Sequence, residues 1–320
     1  MKKTVCVGVG SIGRAWAVVF AKAGHEVALY DANADVLNEV KERIESTLGD
    51  LEAAGLLHDA HSAINNIRIA ETLEDALVDA VYVQESVREL LEVKRATFEE
   101  IACYAPEDAI IASSTSAIAG SLFMEGLRNS ANCLVAHPTN PPFLTTLTEL
   151  CPTSSTSIAT LKAAKKFLTG CGQATVTLKK EITGYALNRL QAAVVAEALY
   201  LVGEGYLSAP DLDDVMTRGL GMRWCFMGPF LTGHLNAPTG YAQYMNMYGD
   251  AYRSIVRDLR TDYEWTPRLF KKVQDQIAGG EETADVASQQ AWRDRRLMLL
   301  IKHLEEADRI EPRKGQIYEA

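Results

Sequence analysis

The segment Gly8-Val9-Gly10-Ser11-Ile12-Gly13 constrains this chain more than any other, because of what stands on either side of it. Lys3 to Val7 is a short, mostly apolar run of strand type, and Arg14 to Lys22 has helical spacing and ends at Gly24. His25 to Tyr30 reads as a second strand closing on Asp31, 18 residues beyond Gly13. A lone G-x-G-x-x-G is a weak signal. Between a strand and a helix, with an acid at that distance, it describes a dinucleotide-binding turn. Gly8 and Gly10 allow a tight turn and a close approach of backbone to a pyrophosphate, which rests on the helix N-terminus formed by Ser11, Ile12 and Gly13. Asp31 suits the diol of an adenosine ribose and repels a 2′-phosphate, so the expected cofactor is NAD rather than NADP.

The remainder continues the alternation. Ala34 to Ala54 is a charged amphipathic helix, and Ile67 to Ala70 and Ala80 to Gln84 are further strands. Ala109 to Ser113 and Cys133 to Ala136 are apolar runs of buried-strand type, Ala159 to Leu168 is helical, and Ala174 to Leu178 is a last strand. Strands alternating with helices predict a doubly wound α/β domain over residues 1–183. Gly184 marks a hinge, and residues 184–320 read as helix throughout, without an internal repeat. Leu187, Leu190, Val194, Ala198 and Leu201 recur at helical spacing and predict a buried stripe. Further helices are expected at 211–218, 241–259, 268–277 and 286–310.

Chemistry is concentrated between Ser113 and Glu149. The strand ending at Ser113 delivers S-S-T-S (Ser113 to Ser116), and the strand ending at Ala136 delivers His137, followed by P-T-N-P-P. Both groups then stand at the carboxyl edge of the sheet, where open α/β sheets bind ligands. His137 can exchange a proton near neutral pH, and a carboxylate such as Glu149 would fix its tautomer and stabilise the imidazolium. The plainer alternative is a strand-end histidine with local hydrogen bonds and Glu149 elsewhere on the surface. Glu89 and Lys94 lie near the same edge as the glycine turn and are placed to meet the cofactor; as isolated charges they would be a solvated helix start. His58 and His61, three residues apart, lack a third ligand, which favours an exposed polar turn over a metal site.

Charge and composition remove other classes. Lys plus Arg number 32 against 42 acids, a net charge of −10, and no basic tract offers a nucleic-acid footprint. Six scattered cysteines without C-x-x-C spacing read as free thiols of a reducing compartment. The apolar run after Lys2 and Lys3 is too short for a signal peptide, and no stretch reaches membrane-spanning length. The expectation is a soluble, cytoplasmic protein with a small-molecule substrate.

The glycine fingerprint, Q-E-S-V-R-E-L-L-E-V-K, S-S-T-S, A-H-P-T-N-P-P and G-Y-A-L-N-R-L together resemble the L-3-hydroxyacyl-CoA dehydrogenase superfamily, over essentially the whole chain. The resemblance implies a Rossmann-type domain followed by an all-helical domain that forms a homodimer. It implies His137 as catalytic base with Glu149 as its partner, and Ser116 and Asn188 as polar contacts to the reacting oxygen. Asp31 would hold the adenosine ribose, while Glu89, Lys94 and Asn140 line the nicotinamide side. Ser114 stands where CoA-using members commonly carry an asparagine, and that departure spares Ser116. CoA-using members also carry a lysine-rich segment after the helix that follows the second strand. Here Leu48 to Asp59 has three acids and no lysine or arginine, a field that opposes a polyanionic ligand. The expected reaction is oxidation of the 3-hydroxyl of a small free 3-hydroxy acid. An acyl-CoA or carnitine-type substrate, and a non-catalytic NAD-binding structural protein, are the alternatives. Arg223, in G-L-G-M-R-W, is a candidate counter-charge for a substrate carboxylate, set against an ordinary helix-end arginine.

Overall fold

The computed structural model describes residues 1–278 and 286–311. Eight strands form one sheet: β1 (Lys3–Val7), β2 (Glu26–Tyr30), β3 (Ile67–Ile69), β4 (Tyr82–Glu85), β5 (Ile110–Ser113), β6 (Cys133–Pro138), β7 (Leu147–Pro152) and β8 (Ala174–Thr177), in the order β3-β2-β1-β4-β5-β6-β7-β8. All neighbours are parallel except β6 and β7. The central strands are buried on both faces, which is why they read as continuous apolar runs rather than as alternating ones. Chain direction across the sheet reverses between β1 and β4. The carboxyl ends of those two strands therefore open the crevice in which such sheets bind ligands.

Helices α1 (Ser11–Lys22), α2 (Ala34–Asn38), α3 (Val40–Ala53), α4 (Ala60–Asn65), α5 (Leu73–Leu77), α6 (Leu91–Tyr104), α7 (Ser121–Met124) and α8 (Ile158–Gly170) accompany the strands. The single helix expected over 34–54 is two, because Glu39 at φ −107° and ψ −1° departs from helical geometry. Trp16, Phe20 and Tyr82 fill the core on one side of the sheet, with Trp16 and Phe20 stacked at 5.4 Å. Phe98 and Phe123 meet edge to face on the other side.

Two compact units result: Met1–Asn188 together with Gln290 onward, and Arg189–Gln289. The division differs from a single cut at residue 183, because the chain returns to the first unit in its last helix. The other helices are α9 (Leu187–Gly203), α10 (Ala209–Asp214), a π-helical turn (Val215–Leu220), α11 (Gly221–Trp224), α12 (Pro229–Leu235), α13 (Tyr241–Asp258), α14 (Pro267–Ile277) and α15 (Val286–Ile310). Met298, Leu297 and Ile301 of α15 pack on the core of the first unit. The apolar stripe of α9 is not buried as expected. Leu190 is 67% exposed and Val194 36%, so periodicity identified an apolar face without saying what covers it.

Candidate active site

The antiparallel pairing of β6 and β7 sets His137 directly opposite Glu149. Residues opposed in this way on one face lie within side-chain reach, and Nδ1 of His137 meets Oε2 of Glu149 at 2.9 Å. Both side chains are buried. The second carboxylate oxygen of Glu149 accepts the backbone N–H groups of Ala186 and Leu187 at 2.9 and 3.1 Å, at the start of α9. Burial works to raise the Glu149 carboxyl; the hydrogen bonds from His137 and those two N–H groups outweigh it, and the group sits below the usual carboxylate range. An ionised Glu149 only accepts, so Nδ1 of His137 carries the proton of their bond and Nε2 of the neutral ring keeps a free lone pair. Tyr185 packs its ring 5.2 Å from that imidazole and donates its hydroxyl to the Ile118 carbonyl.

The turn that carries Ser116 is held from below. Glu89 Oε1 accepts from the Thr115 hydroxyl at 2.6 Å and from the Ser116 and Ala117 N–H groups at 2.9 Å each. Burial raises the Glu89 carboxyl, while the Thr115 bond, the Lys94 charge and the two backbone donors together bring it below its ordinary value. Lys94, 1% exposed, lies between Glu85 at 2.9 Å and Glu89 at 3.3 Å. Asn188 donates its amide to the Ser116 carbonyl at 3.1 Å. Ser116 is thereby fixed through Glu89 on one side and Asn188 on the other.

The glycine turn has the shape that a dinucleotide requires. A Cβ on Gly13 would stand 1.8 Å from the Gly8 carbonyl oxygen, and one on Gly8, at φ +84°, would meet backbone of Ser86 and Val87 at 2.8 Å. A Cβ on Gly10 would meet nothing within 4 Å, so space lies open in front of the turn. No side chain caps α1, which leaves the N–H groups of Ser11, Ile12 and Gly13 available to phosphate oxygens. Asp31 follows β2 directly, with Oδ2 on the Val9 N–H and Oδ1 on the Asn33 N–H, each at 2.9 Å, beside that turn. These residues fit NAD.

Residues 3–182 match the model of the 3-hydroxyacyl-CoA dehydrogenase NAD binding domain, and residues 184–277 match that of the C-terminal domain. The chain belongs to the 3-hydroxyacyl-CoA dehydrogenase family. Within the family it is 38% identical to the lambda-crystallin homolog of Bos taurus, over 93% of this chain and 94% of that protein. It is 34% identical to an L-carnitine dehydrogenase of Nocardiopsis dassonvillei, over 97% and 94%. Among solved structures, the NAD+ dependent 5-dehydrogenase of 5-formyl-3-hydroxy-2-methylpyridine 4-carboxylic acid shares the fold. It has a TM-score of 0.81 and 22% identity, over 95% of this chain and 99% of that one. Membership in this dehydrogenase family makes the protein an NAD-dependent hydroxy-acid dehydrogenase.

Of the residues singled out in the sequence, the structure groups His137, Glu149, Ser116, Asn188, Glu89 and Lys94 in the first unit. Lys94 turns inward to its two carboxylates. Asn140 follows β6 and is exposed. Arg223 lies on α11 in the second unit, exposed, within electrostatic range of Tyr244, and its guanidinium makes no hydrogen bond or ion pair among the described residues. His58 and His61 are exposed, and no group of three or more metal-ligating side chains occurs among the described residues. Glu85, Tyr185 and the polar side chains around Ser114 escaped the sequence reading. Glu85 had a signal, an acid at a strand end with a lysine nine residues on. Tyr185, at φ +50°, had none beyond its neighbour Gly184.

Proposed function

We propose that the protein oxidises the 3-hydroxyl of a small free 3-hydroxy acid, with L-gulonate giving 3-dehydro-L-gulonate as the foremost candidate. The observation that carries the reading is the buried His137–Glu149 pair beside the Ser116–Asn188 contact. Gly8, Gly10, Ser11, Ile12, Gly13 and Asp31 would hold NAD at the glycine turn. Glu89, Lys94 and Asn140 stand on its nicotinamide side. Bound NAD supplies the hydride acceptor. Nε2 of His137 takes the hydroxyl proton, and Glu149 stabilises the imidazolium that forms. Ser116 and Asn188 orient the reacting oxygen, and the Glu89 anchor keeps Ser116 in place before substrate arrives.

Three features support a free acid. Leu48 to Asp59 carries three acids and no lysine or arginine, with Glu52 and Asp59 spent on the N-terminus of α4. G-L-G-M-R-W-C-F-M-G-P-F, H-L-N-A (His234 to Ala237) and Q-A-W-R-D (Gln290 to Asp294) resemble λ-crystallin, which is L-gulonate 3-dehydrogenase. Arg223 brings a free guanidinium that suits a carboxylate. Six free thiols and the lack, among described residues, of a helix long and apolar enough to cross a membrane are in keeping with a cytoplasmic protein. Apolar surface on the second unit supports a homodimer through the helical part. The test is NADH formation across L-gulonate, L-carnitine, 3-hydroxybutyrate and 3-hydroxybutyryl-CoA. Turnover of the free acids, L-gulonate foremost, is expected. Efficient turnover of the CoA thioester would overturn the free-acid reading, and NAD binding with no turnover of any substrate would return the protein to a structural role.

A further inference from the structure

Ser114 Oγ sits at the centre of a polar cluster under the glycine turn. The Trp16 indole N–H donates to it at 3.1 Å, and the Gln84 amide nitrogen donates at 2.7 Å. The orientation of Gln84 follows from its other contacts. Its nitrogen faces the Ala136 carbonyl at 3.4 Å, and its oxygen accepts from the buried Tyr82 hydroxyl at 2.9 Å. Indole and amide N–H groups only donate, so both lone pairs of the Ser114 hydroxyl are taken. Its one proton then goes to its remaining neighbour, Ser86 Oγ, at 2.8 Å. Ser86 accepts that bond, and its own hydroxyl proton has no acceptor among the described residues.

Ser86 is the first residue after β4, its N–H bonded to the Val7 carbonyl at the end of β1. It is half-buried, and its Cβ lies 3.6 Å from the place a Gly13 side chain would occupy. The undirected proton therefore stands at the β1/β4 crevice, against the turn that fits the dinucleotide. We propose that Ser86 donates a hydrogen bond to an oxygen of bound NAD, and that Tyr82, Gln84 and Ser114 form a relay that points this donor into the crevice. Bonds along such a chain polarise one another in one direction. The acceptor is an oxygen of the pyrophosphate or of the nicotinamide-side ribose, both of which cross a crevice at this position.

The proposal rests on the NAD reading of the site, and calorimetric titration separates the two. Wild-type protein that fails to bind NAD would remove that reading itself. With wild-type binding established, Ser86→Ala should raise the Kd for NAD roughly 3- to 10-fold, the range of one hydrogen bond. Ser86→Cys, similar in size but a weak donor, should fall between the two. ADP-ribose and ADP locate the acceptor. Weaker binding of all three ligands marks the pyrophosphate, whereas weaker binding of NAD and ADP-ribose with ADP unchanged marks the ribose. An NAD Kd in Ser86→Ala or Ser86→Cys equal to that of the wild type would overturn the proposal.

Discussion

A histidine becomes a base when one of its nitrogens is committed elsewhere, and Glu149 commits Nδ1 of His137. His137→Gln keeps a polar group of similar reach and removes the proposed base. It should lower kcat by about 10²- to 10⁴-fold while the NAD Kd, read by titration, stays near the wild-type value. Turnover within a few-fold of wild type would take His137 out of the mechanism. Glu149 also makes stability depend on pH. Its folded-state pKa lies below the ordinary value, so its contribution is fully present above an unfolded pKa of about 4.3 and is lost as pH falls through the folded value. Urea midpoints measured from neutral pH into the acid range should drop more steeply for wild type than for Glu149→Gln. Parallel curves would show that the carboxylate pairing contributes nothing to folding.

At the level of elements, two glycines in one turn have opposite roles. Gly13→Ala drives a methyl into the Gly8 carbonyl and should cost about 1–3 kcal/mol by chemical denaturation. Gly10→Ala meets no protein atom, so its cost to folding should stay within about 1 kcal/mol. On the proposed placement of NAD it fills the space in front of the turn, and the NAD Kd should rise by roughly tenfold or more, about 1.4 kcal/mol. Normal NAD affinity in that variant would place the pyrophosphate elsewhere. This turn was legible in the sequence because its strand, glycines and helix are contiguous. The strands β1, β2, β3, β4, β5, β6 and β8 were legible as well, from short runs between breakers. β7 was not, since Leu147 to Pro152 offers neither a continuous apolar run nor a strict alternation and is a strand through its pairing with β6 and β8. The opposition of His137 and Glu149 depends on that register, so motif spacing made them candidates and tertiary pairing joined them. The Ser114 relay was hidden for a related reason. Trp16, Gln84 and Ser114 are 68 and 30 residues apart in the chain, and only the sheet brings them together.

For the whole molecule, the two units differ in how well they are closed. The first unit buries its strands and helices around two apolar clusters. The second exposes Leu190, Phe230, Leu235, Met247, Tyr252 and Ile255, several of them on α9 and α13. Apolar surface on that scale marks a contact site rather than a finished exterior. The periodic stripe on α9 was read as apolar and buried, and Leu190 and Val194 are exposed, because periodicity reports a face and leaves its partner open. A second copy is the natural cover, as a two-fold dimer sets the same patch against itself. Sedimentation at micromolar concentration should therefore give a dimer. Leu190→Glu places a charge on the exposed face of α9 and should shift the protein toward monomer while leaving the fold of each chain intact by circular dichroism. A wild-type protein sedimenting only as monomer would rule the dimer out, and a Leu190→Glu protein that remains fully dimeric would move the contact away from α9.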